Sequence, residues 1–189
     1  MKKRLVIFAS GSGSNAVNVC QYFKDHPEVE VSALFCNNAH AGVIQKMEAF
    51  GVPVVLFNKE EFANKEAFLQ SMDAYKPTLI ALLGFLWKVP AYLIEAYPNM
   101  LNLHPALLPK YGGKGMYGHH VHEAVKAAGE TETGITLHWV NAHYDEGAVI
   151  AQFTHGLNQS DDAEDIARYI HLLEQKHVPV VIDEVLKKL

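Results

Sequence analysis

The sequence is poor in cysteine, in basic residues and in long apolar runs, and each shortage excludes a class of protein. Its 189 residues include two cysteines, Cys20 and Cys36, which lack the spacing of a metal or redox motif. Lysine and arginine number 16 against 21 acidic residues, for a formal net charge of −5, so we expect no nucleic-acid partner. The most apolar stretch, residues 79–94, contains Lys88 and Pro90 and is shorter than the roughly 20 residues of a membrane span.

The remaining composition is that of an ordinary folded domain. Hydrophobic residues make up 49% and charged residues 20% of the chain, which predicts a core that needs no disulfide. The basic residues 2–4 precede too short an apolar segment for a signal peptide. We therefore expect a cytoplasmic protein without a membrane partner. At about 150 residues per domain, residues 1–189 are predicted to form one domain.

Short apolar segments alternate with amphipathic ones along most of the chain. Strands are predicted at residues 4–9, 30–36, 53–57, 78–83, 100–103, 133–140 and 148–155. Helices are predicted at residues 15–24, 41–50, 60–75, 90–97, 119–128 and 161–188. The segment joining the last two strands is too short for a crossover, so those strands should be antiparallel. The order predicts an α/β fold with a doubly wound, mostly parallel, Rossmann-like sheet and an antiparallel edge.

Ligands of such sheets bind outside the carboxyl ends of the strands, near the point where the strand order reverses. Four loops meet this condition, at residues 10–15, 84–89, 104–118 and 141–147. The third loop is long and rich in glycine, which is typical of a functional loop. We therefore expect these four loops to surround one site.

The first of these loops, residues 10–15, has the sequence Ser-Gly-Ser-Gly-Ser-Asn. Free N–H groups and the positive end of the following helix favour a phosphate there. The loop lacks the third glycine of a dinucleotide motif, and Asn37 and Asn38 stand where a ribose-binding acid is expected, so a nicotinamide dehydrogenase is disfavoured. The alternative is a flexible turn before a helix that Ser14 or Asn15 caps.

Polar side chains also mark the end of the fifth strand. Asn102 and His104 share a face because alternate residues of a strand do so. An amide is suited to hold an oxyanion, and an imidazole to move protons at neutral pH. Asp145 is suited to orient that imidazole, although the alternative is a simple turn with Gly147. His138 is either a core histidine or a partner behind the site.

Three histidines and a glutamate within residues 119–123 suggest a metal site, but the His-Glu-x-x-His zinc spacing is absent. The acidic residues from Asp161 onward indicate a helix start, with Asp161 as the cap and Glu164 three residues later. We therefore expect no metal.

Five motifs span almost the whole chain, at residues 11–15, 84–85, 102–111, 133–138 and 145–150. The most specific is Asn-x-His-Pro leading into Leu-Leu-Pro, followed later in the chain by Asp-x-Gly. Together they resemble the folate-dependent formyltransferases of purine biosynthesis that act on glycinamide ribonucleotide.

The resemblance implies transfer of a formyl group from the cosubstrate 10-formyltetrahydrofolate to the amine of glycinamide ribonucleotide, without a metal. It implies that Asn102 and a protonated His104 stabilise the oxyanion and that Asp145 keeps His104 charged. The ribonucleotide is then expected to contact Ser12, Gly13, Ser14, Asn15 and Glu174. The folate is expected to contact Lys65, Leu86, Trp87, Lys88, Val89, Asn102, Asn141, Ala142, His143 and Tyr144, with Lys65 meeting its glutamate tail. We expect a monomer or a homodimer.

Two segments depart from the family pattern. Leu86 and Trp87 stand where a methionine and a basic residue are common, and the charge follows at Lys88. Residues 112–119 are richer in glycine than usual. The alternatives are a formyltetrahydrofolate hydrolase with a similar triad, and a noncatalytic nucleotide-binding module. Transfer to methionyl-tRNA is disfavoured by the chain's length and charge.

Overall fold

The fold is built on one seven-stranded sheet, described for residues 2–189 by a computed structural model. Its strands are β1 Lys3–Ala9, β2 Val29–Cys36, β3 Val54–Leu56, β4 Leu79–Leu82, β5 Met100–His104, β6 Glu132–Trp139 and β7 Val149–Gly156. They lie in the order β3-β2-β1-β4-β5-β6-β7. The first five strands are parallel, and β6 is antiparallel to both β5 and β7. The predicted α/β class and antiparallel edge are confirmed, with one more antiparallel pairing than expected.

Seven helices cover the sheet within the described residues: α1 Ser14–Phe23, α2 Val43–Glu48, α3 Lys59–Ala63, α4 Lys65–Asp73, α5 Ala91–Ala96, α6 His119–Ala127 and α7 Ala163–Lys188. The single helix predicted at residues 60–75 is wrong. Asn64 has an extended backbone and its side chain accepts from the N–H of Ala67, so it ends α3 and caps α4. The cap of α7 is Asp162 rather than Asp161, because Asp162 and Asp165 form a reciprocal capping box.

Alternate residues of the central strand β1 enter two different core layers. Leu5 and Ile7 pack with residues of α1 and α7, whereas Val6 and Phe8 face a cluster of aromatic rings on the other side. Burial on both faces is typical of a central parallel strand. Because this layered core holds the strands rigidly, the loops at their carboxyl ends are held in fixed relative positions.

The strand order reverses between β1 and β4, since β2 and β3 continue to one side and β5 to the other. The loops after β1, β4 and β5 therefore meet at one edge of the sheet. On one side of this edge, α7 packs against α1 and α6. No helix within residues 2–189 is apolar and long enough to span a bilayer.

Candidate active site

A cavity of about 880 Å³ opens at this edge of the sheet. All four loops expected from the sequence contribute to its wall, together with α6 and α7. The structure brings nearly all the predicted site residues to this wall: Ser12, Gly13, Ser14, Asn15, Leu86, Trp87, Lys88, Val89, Asn102, His104, His138, Asn141, His143, Tyr144, Asp145 and Glu174. The arrangement is a pocket of the size that small ligands occupy.

Three polar side chains converge at the end of β5. Asn102 Nδ2 lies 3.4 Å from Asp145 Oδ1, and His104 Nδ1 lies 3.7 Å from Asp145 Oδ2. Asn102 and His104 come from one face of β5, whereas Asp145 comes from the loop between β6 and β7. The site thus combines an amide, an imidazole and a carboxylate, which are the groups needed to stabilise an oxyanion and to move a proton.

His104 is almost fully buried, and burial lowers its pKa below the ordinary value. Asp145 and the carbonyl of Tyr111 raise the pKa of His104, but burial lowers it by more. His104 Nε2 lies 2.7 Å from the Tyr111 carbonyl oxygen, which can only accept, so Nε2 carries a hydrogen. Burial thus acts against the protonated His104 that the resemblance implies, whereas Asp145 favours it.

Asp145 is held by its backbone and by three polar neighbours. Its φ is 56°, and the N–H of Gly113 donates to Oδ2 at 2.8 Å. Burial opposes ionisation, but contacts with His138, His104 and this N–H keep the pKa of Asp145 below its usual range. The carboxylate is therefore ionised at neutral pH and available to stabilise a charged His104.

Two carbonyls of the loop after β1 are bound by groups of the α2 region. The N–H of Val43 donates to the Gly11 carbonyl at 3.1 Å, and Lys46 Nζ donates to the Ser12 carbonyl at 2.7 Å. Helix α1 has Gly13 as its N-cap, with φ 75° and no side-chain cap. The alternative of a cap by Ser14 or Asn15 is wrong, and an uncapped helix start of this kind favours an anion.

Next to this loop, Asn15 Nδ2 donates to Glu174 Oε2 at 2.9 Å and so joins α1 to α7. Burial raises the pKa of Glu174, although Asn15 and His171 partly offset the effect. His171 Nδ1 lies 4.0 Å from the same oxygen and its ring also lines the cavity. This corner therefore presents polar groups beside the start of α1.

The opposite wall is apolar and aromatic. Trp87 packs with Phe57, Phe62 and Phe85, and these rings continue into the core. Lys88 Nζ lies 5.7 Å from the centre of the Tyr144 ring, which links the loop after β4 to the loop after β6. Such a wall is suited to a flat aromatic ligand with an anionic tail.

Two predicted folate contacts lie outside this cavity. Lys65 is the first residue of α4 and does not line it. Ala142 lines a smaller neighbouring pocket with Lys88 and Pro90. Within residues 2–189, no three histidine, cysteine or acidic side chains are grouped as metal ligands.

A family model described as formyl transferase matches residues 3–182. The chain belongs to the formyl transferase family.

Relatives of this formyl transferase carry a more specific name. Phosphoribosylglycinamide formyltransferase of Bacillus subtilis is 34% identical over 190 residues, covering 97% of this chain and 95% of that protein. The chloroplastic enzyme of that name from Vigna unguiculata is 35% identical over 187 residues, covering 95% of this chain and 60% of that protein. This chain therefore spans less than two thirds of the plant relative.

A solved structure shares the fold of this formyl transferase. The crystal structure of phosphoribosylglycinamide formyltransferase from Brucella melitensis superposes with a TM-score of 0.88 at 31% identity, covering 98% of this chain and 96% of that one. The family assignment thus agrees with the observed sheet.

Several parts of the candidate site could not be predicted from the sequence. The carbonyl of Tyr111 and the N–H of Gly113 hold His104 and Asp145, but backbone groups leave no signal in residue type. His122 and His171 also line the cavity. The sequence shows that both residues are histidines, but only the packing of α6 and α7 places them in the cavity wall.

Proposed function

We propose that this protein transfers the formyl group of 10-formyltetrahydrofolate to the amine of glycinamide ribonucleotide. The observation that carries the proposal is the convergence of Asn102, His104 and Asp145 at one cavity with the uncapped start of α1. A phosphate site and an acyl-transfer site in one pocket suit a phosphorylated amine that receives a formyl group. The names of the relatives support formyl transfer to phosphoribosylglycinamide.

In the proposed reaction, the neutral amine attacks the formyl carbon and the carbonyl electrons move to oxygen. Asn102 donates an N–H to this oxyanion. The Asn102 N–H that points at Asp145 is the one most easily redirected to the oxyanion, because its contact with Asp145 Oδ1 is long at 3.4 Å.

His104 enters the reaction neutral and accepts a proton of the amine at Nδ1. The resulting imidazolium is stabilised by Asp145 at 3.7 Å. The proton then moves to N10 of the folate as the bond between N10 and the formyl carbon breaks. The products are formylglycinamide ribonucleotide and tetrahydrofolate, so atoms and electrons balance without a metal or redox partner.

The two substrates occupy opposite ends of the cavity in this proposal. Ser12, Gly13, Ser14 and Asn15 bind the ribonucleotide phosphate, and Glu174 binds its ribose or glycinamide end. The folate lies against the wall formed by Leu86, Trp87, Lys88, Val89, Asn141, His143 and Tyr144, with Ala142 and Lys65 along its tail. His138 supports Asn102 from behind.

The further parts of the proposal concern the whole protein. We propose that residues 1–189 form one formyltransferase domain that works in the cytoplasm as a monomer or homodimer. The buried free thiols Cys20 and Cys36 support a reducing compartment.

The test mixes the protein with 10-formyltetrahydrofolate, with and without glycinamide ribonucleotide. Folate absorbance and the mass of the ribonucleotide are then followed together. Folate release that requires the amine, with one formyl group added to it, is the expected result. Release without the amine would instead indicate a hydrolase, and no release under either condition would favour a noncatalytic nucleotide-binding module.

A further inference from the structure

The segment of residues 111–113, which follows β5, contacts both titratable residues of the candidate site through its backbone. The Tyr111 carbonyl oxygen lies 2.7 Å from His104 Nε2, and it accepts the hydrogen of that nitrogen. The N–H of Gly113 donates to Asp145 Oδ2 at 2.8 Å. The conformation of this short segment therefore contributes to the relative position of the imidazole and the carboxylate.

This conformation is unfavourable for a tyrosine. Tyr111 has φ 56°, in the left-handed region that residues with a Cβ rarely adopt. Such a backbone persists where the surrounding structure holds it. The Tyr111 side chain packs against the core layer on the α1 and α7 side of the sheet, and its hydroxyl donates to Glu130 Oε1 at 2.8 Å. The side chain is thus held both by packing and by a hydrogen bond to a residue distant in sequence.

Glu130 is itself held firmly at the end of α6. Gly129 has φ 65°, and its N–H donates to the Lys126 carbonyl at 3.0 Å. The N–H of Glu130 donates to the Val125 carbonyl at 3.4 Å. These two bonds form the Schellman motif that commonly ends a helix. Because β6 begins two residues later at Glu132, a helix end and a sheet strand together fix the position of Glu130.

The hydrogen bond between Tyr111 and Glu130 has a charged acceptor. Hydrogen bonds from Lys110 and Tyr111 lower the pKa of Glu130 below its usual range, so the carboxylate is ionised at neutral pH. Burial and the contact with Glu130 raise the pKa of Tyr111, so the phenol keeps its hydrogen. A hydrogen bond to a carboxylate is stronger than one between neutral groups.

We propose that Glu130 is a positioning residue for the active site and acts through the Tyr111 hydroxyl. By holding the Tyr111 side chain, Glu130 keeps the Tyr111 carbonyl on His104 Nε2 and so keeps His104 Nδ1 directed toward Asp145. Glu130 does not line the cavity, so its effect on the reaction is indirect. The inference rests on the proposed function, because it takes His104 to be the group that moves the proton.

Steady-state kinetics of Tyr111→Phe, Glu130→Ala and Glu130→Gln test this role. We expect kcat to fall by roughly tenfold in the first two variants, because the bond that holds residue 111 is lost, with KM for both substrates within about twofold. Glu130→Gln keeps an oxygen that can accept from the hydroxyl, so its kcat should stay within about threefold of normal.

Three kinetic results would overturn the proposal. One is a normal kcat in Tyr111→Phe. Another is a loss in Tyr111→Phe without one in Glu130→Ala, because the hydroxyl would then act without Glu130. The third is an equal loss in the two Glu130 variants, because the hydrogen bond would then not be the link between Glu130 and the site.

Two control variants separate this bond from general effects on stability. Lys110→Met removes the ion pair of Lys110 with Glu130, in which Lys110 is 64% exposed, but leaves the tyrosine bond in place, so kcat should stay within about twofold. Tyr22→Phe removes another tyrosine–carboxylate bond, to Asp183 at 3.2 Å, away from the cavity wall, and kcat should not change. Thermal unfolding of every variant identifies losses caused by unfolding. A loss in Lys110→Met as large as that in Tyr111→Phe would overturn the proposal, because the ion pair would then be responsible.

A measurement without substrates tests the same contact independently of formyl transfer. The pH titration of the His104 ring is followed by NMR, with its signals assigned by their absence in His104→Gln. Burial lowers the pKa of His104, Asp145 and the Tyr111 carbonyl raise it, and His138 lowers it. In Tyr111→Phe the carbonyl is no longer held on Nε2, so the pKa of His104 should fall further. An unchanged titration would overturn the proposal, whereas failure of the transferase assay alone would leave this result readable.

Discussion

Asn102 and His138 face each other across the antiparallel pair β5 and β6, with Asn102 Nδ2 3.1 Å from His138 Nε2. His138 Nδ1 lies 2.9 Å from the carbonyl oxygen of Trp139, so Nδ1 carries the hydrogen and Nε2 accepts from Asn102. The sheet register therefore places His138 directly against the Asn102 amide. We propose that His138 positions this amide.

Replacing His138 should disturb this orientation. We expect His138→Phe to lower kcat by about tenfold, since the Asn102 amide loses the acceptor that fixes it. His138→Gln should recover part of the loss, because its amide oxygen can accept from Asn102. Steady-state kinetics with both substrates provide the measurement, and KM should change little. A phenylalanine variant with normal kcat would refute the positioning role.

Replacing Asn102 or His104, at the end of β5, should lower kcat more than replacing His138 does. Asn102→Ala is expected to lower kcat by about 10² or more through loss of an oxyanion donor. His104→Ala should cause a comparable loss, because the group proposed to move the proton is removed. Circular dichroism and thermal unfolding serve as controls for folding. A folded His104→Ala enzyme with near-normal turnover would eliminate the proposed mechanism.

The pH profile should report the neutral state of His104. A base must be unprotonated to act, so activity is lost as pH falls through the pKa of His104, which burial places below the ordinary value of about 6.5. The charge of Asp145 raises this pKa. Asp145→Asn should therefore move the acid limb of kcat/KM to lower pH and also reduce the maximal rate. A limb that moves to higher pH would contradict this assignment.

The loop after β1 offers a matched pair of glycine substitutions. Gly13→Val should weaken ribonucleotide binding by roughly tenfold or more, because Gly13 has φ 75° and an added Cβ would overlap Val43. Gly11→Ala is the control, since nothing lies within 4 Å of its added Cβ. Calorimetry with the ribonucleotide measures both. If Gly13→Val binds the ribonucleotide as tightly as the unmodified protein does, the phosphate lies elsewhere.

The folate end of the cavity can be tested through its lysines. Lys88→Met should raise the KM for 10-formyltetrahydrofolate by about threefold, which is the scale of one partly exposed ion pair. Lys65 lies outside the cavity, so Lys65→Met should act mainly on folates with several glutamates. Kinetics with monoglutamyl and polyglutamyl substrates separate the two effects. If Lys65→Met raises the KM for the monoglutamate more than Lys88→Met does, this placement of the folate tail is wrong.

Much of the architecture follows from local sequence pattern. Alternation of apolar strands and amphipathic helices is a property of neighbouring residues, and it correctly predicted the sheet and the four loops at its edge. The same pattern failed at Asn64, where a cap divides one predicted helix into two. Propensity alone does not distinguish a polar helical residue from a cap, because the difference lies in a single hydrogen bond.

The sequence by itself determined which residue types stand at the ends of the strands, and hence the candidates Asn102, His104 and Asp145. Only the tertiary structure decided their surroundings. Burial in the core lowers the pKa of His104, and His138 contacts Asn102 because the register of β5 and β6 places them opposite each other. His122 enters the wall because α6 and α7 pack together beside it. Burial and register depend on residues distant in sequence, and this dependence is why they require the folded chain.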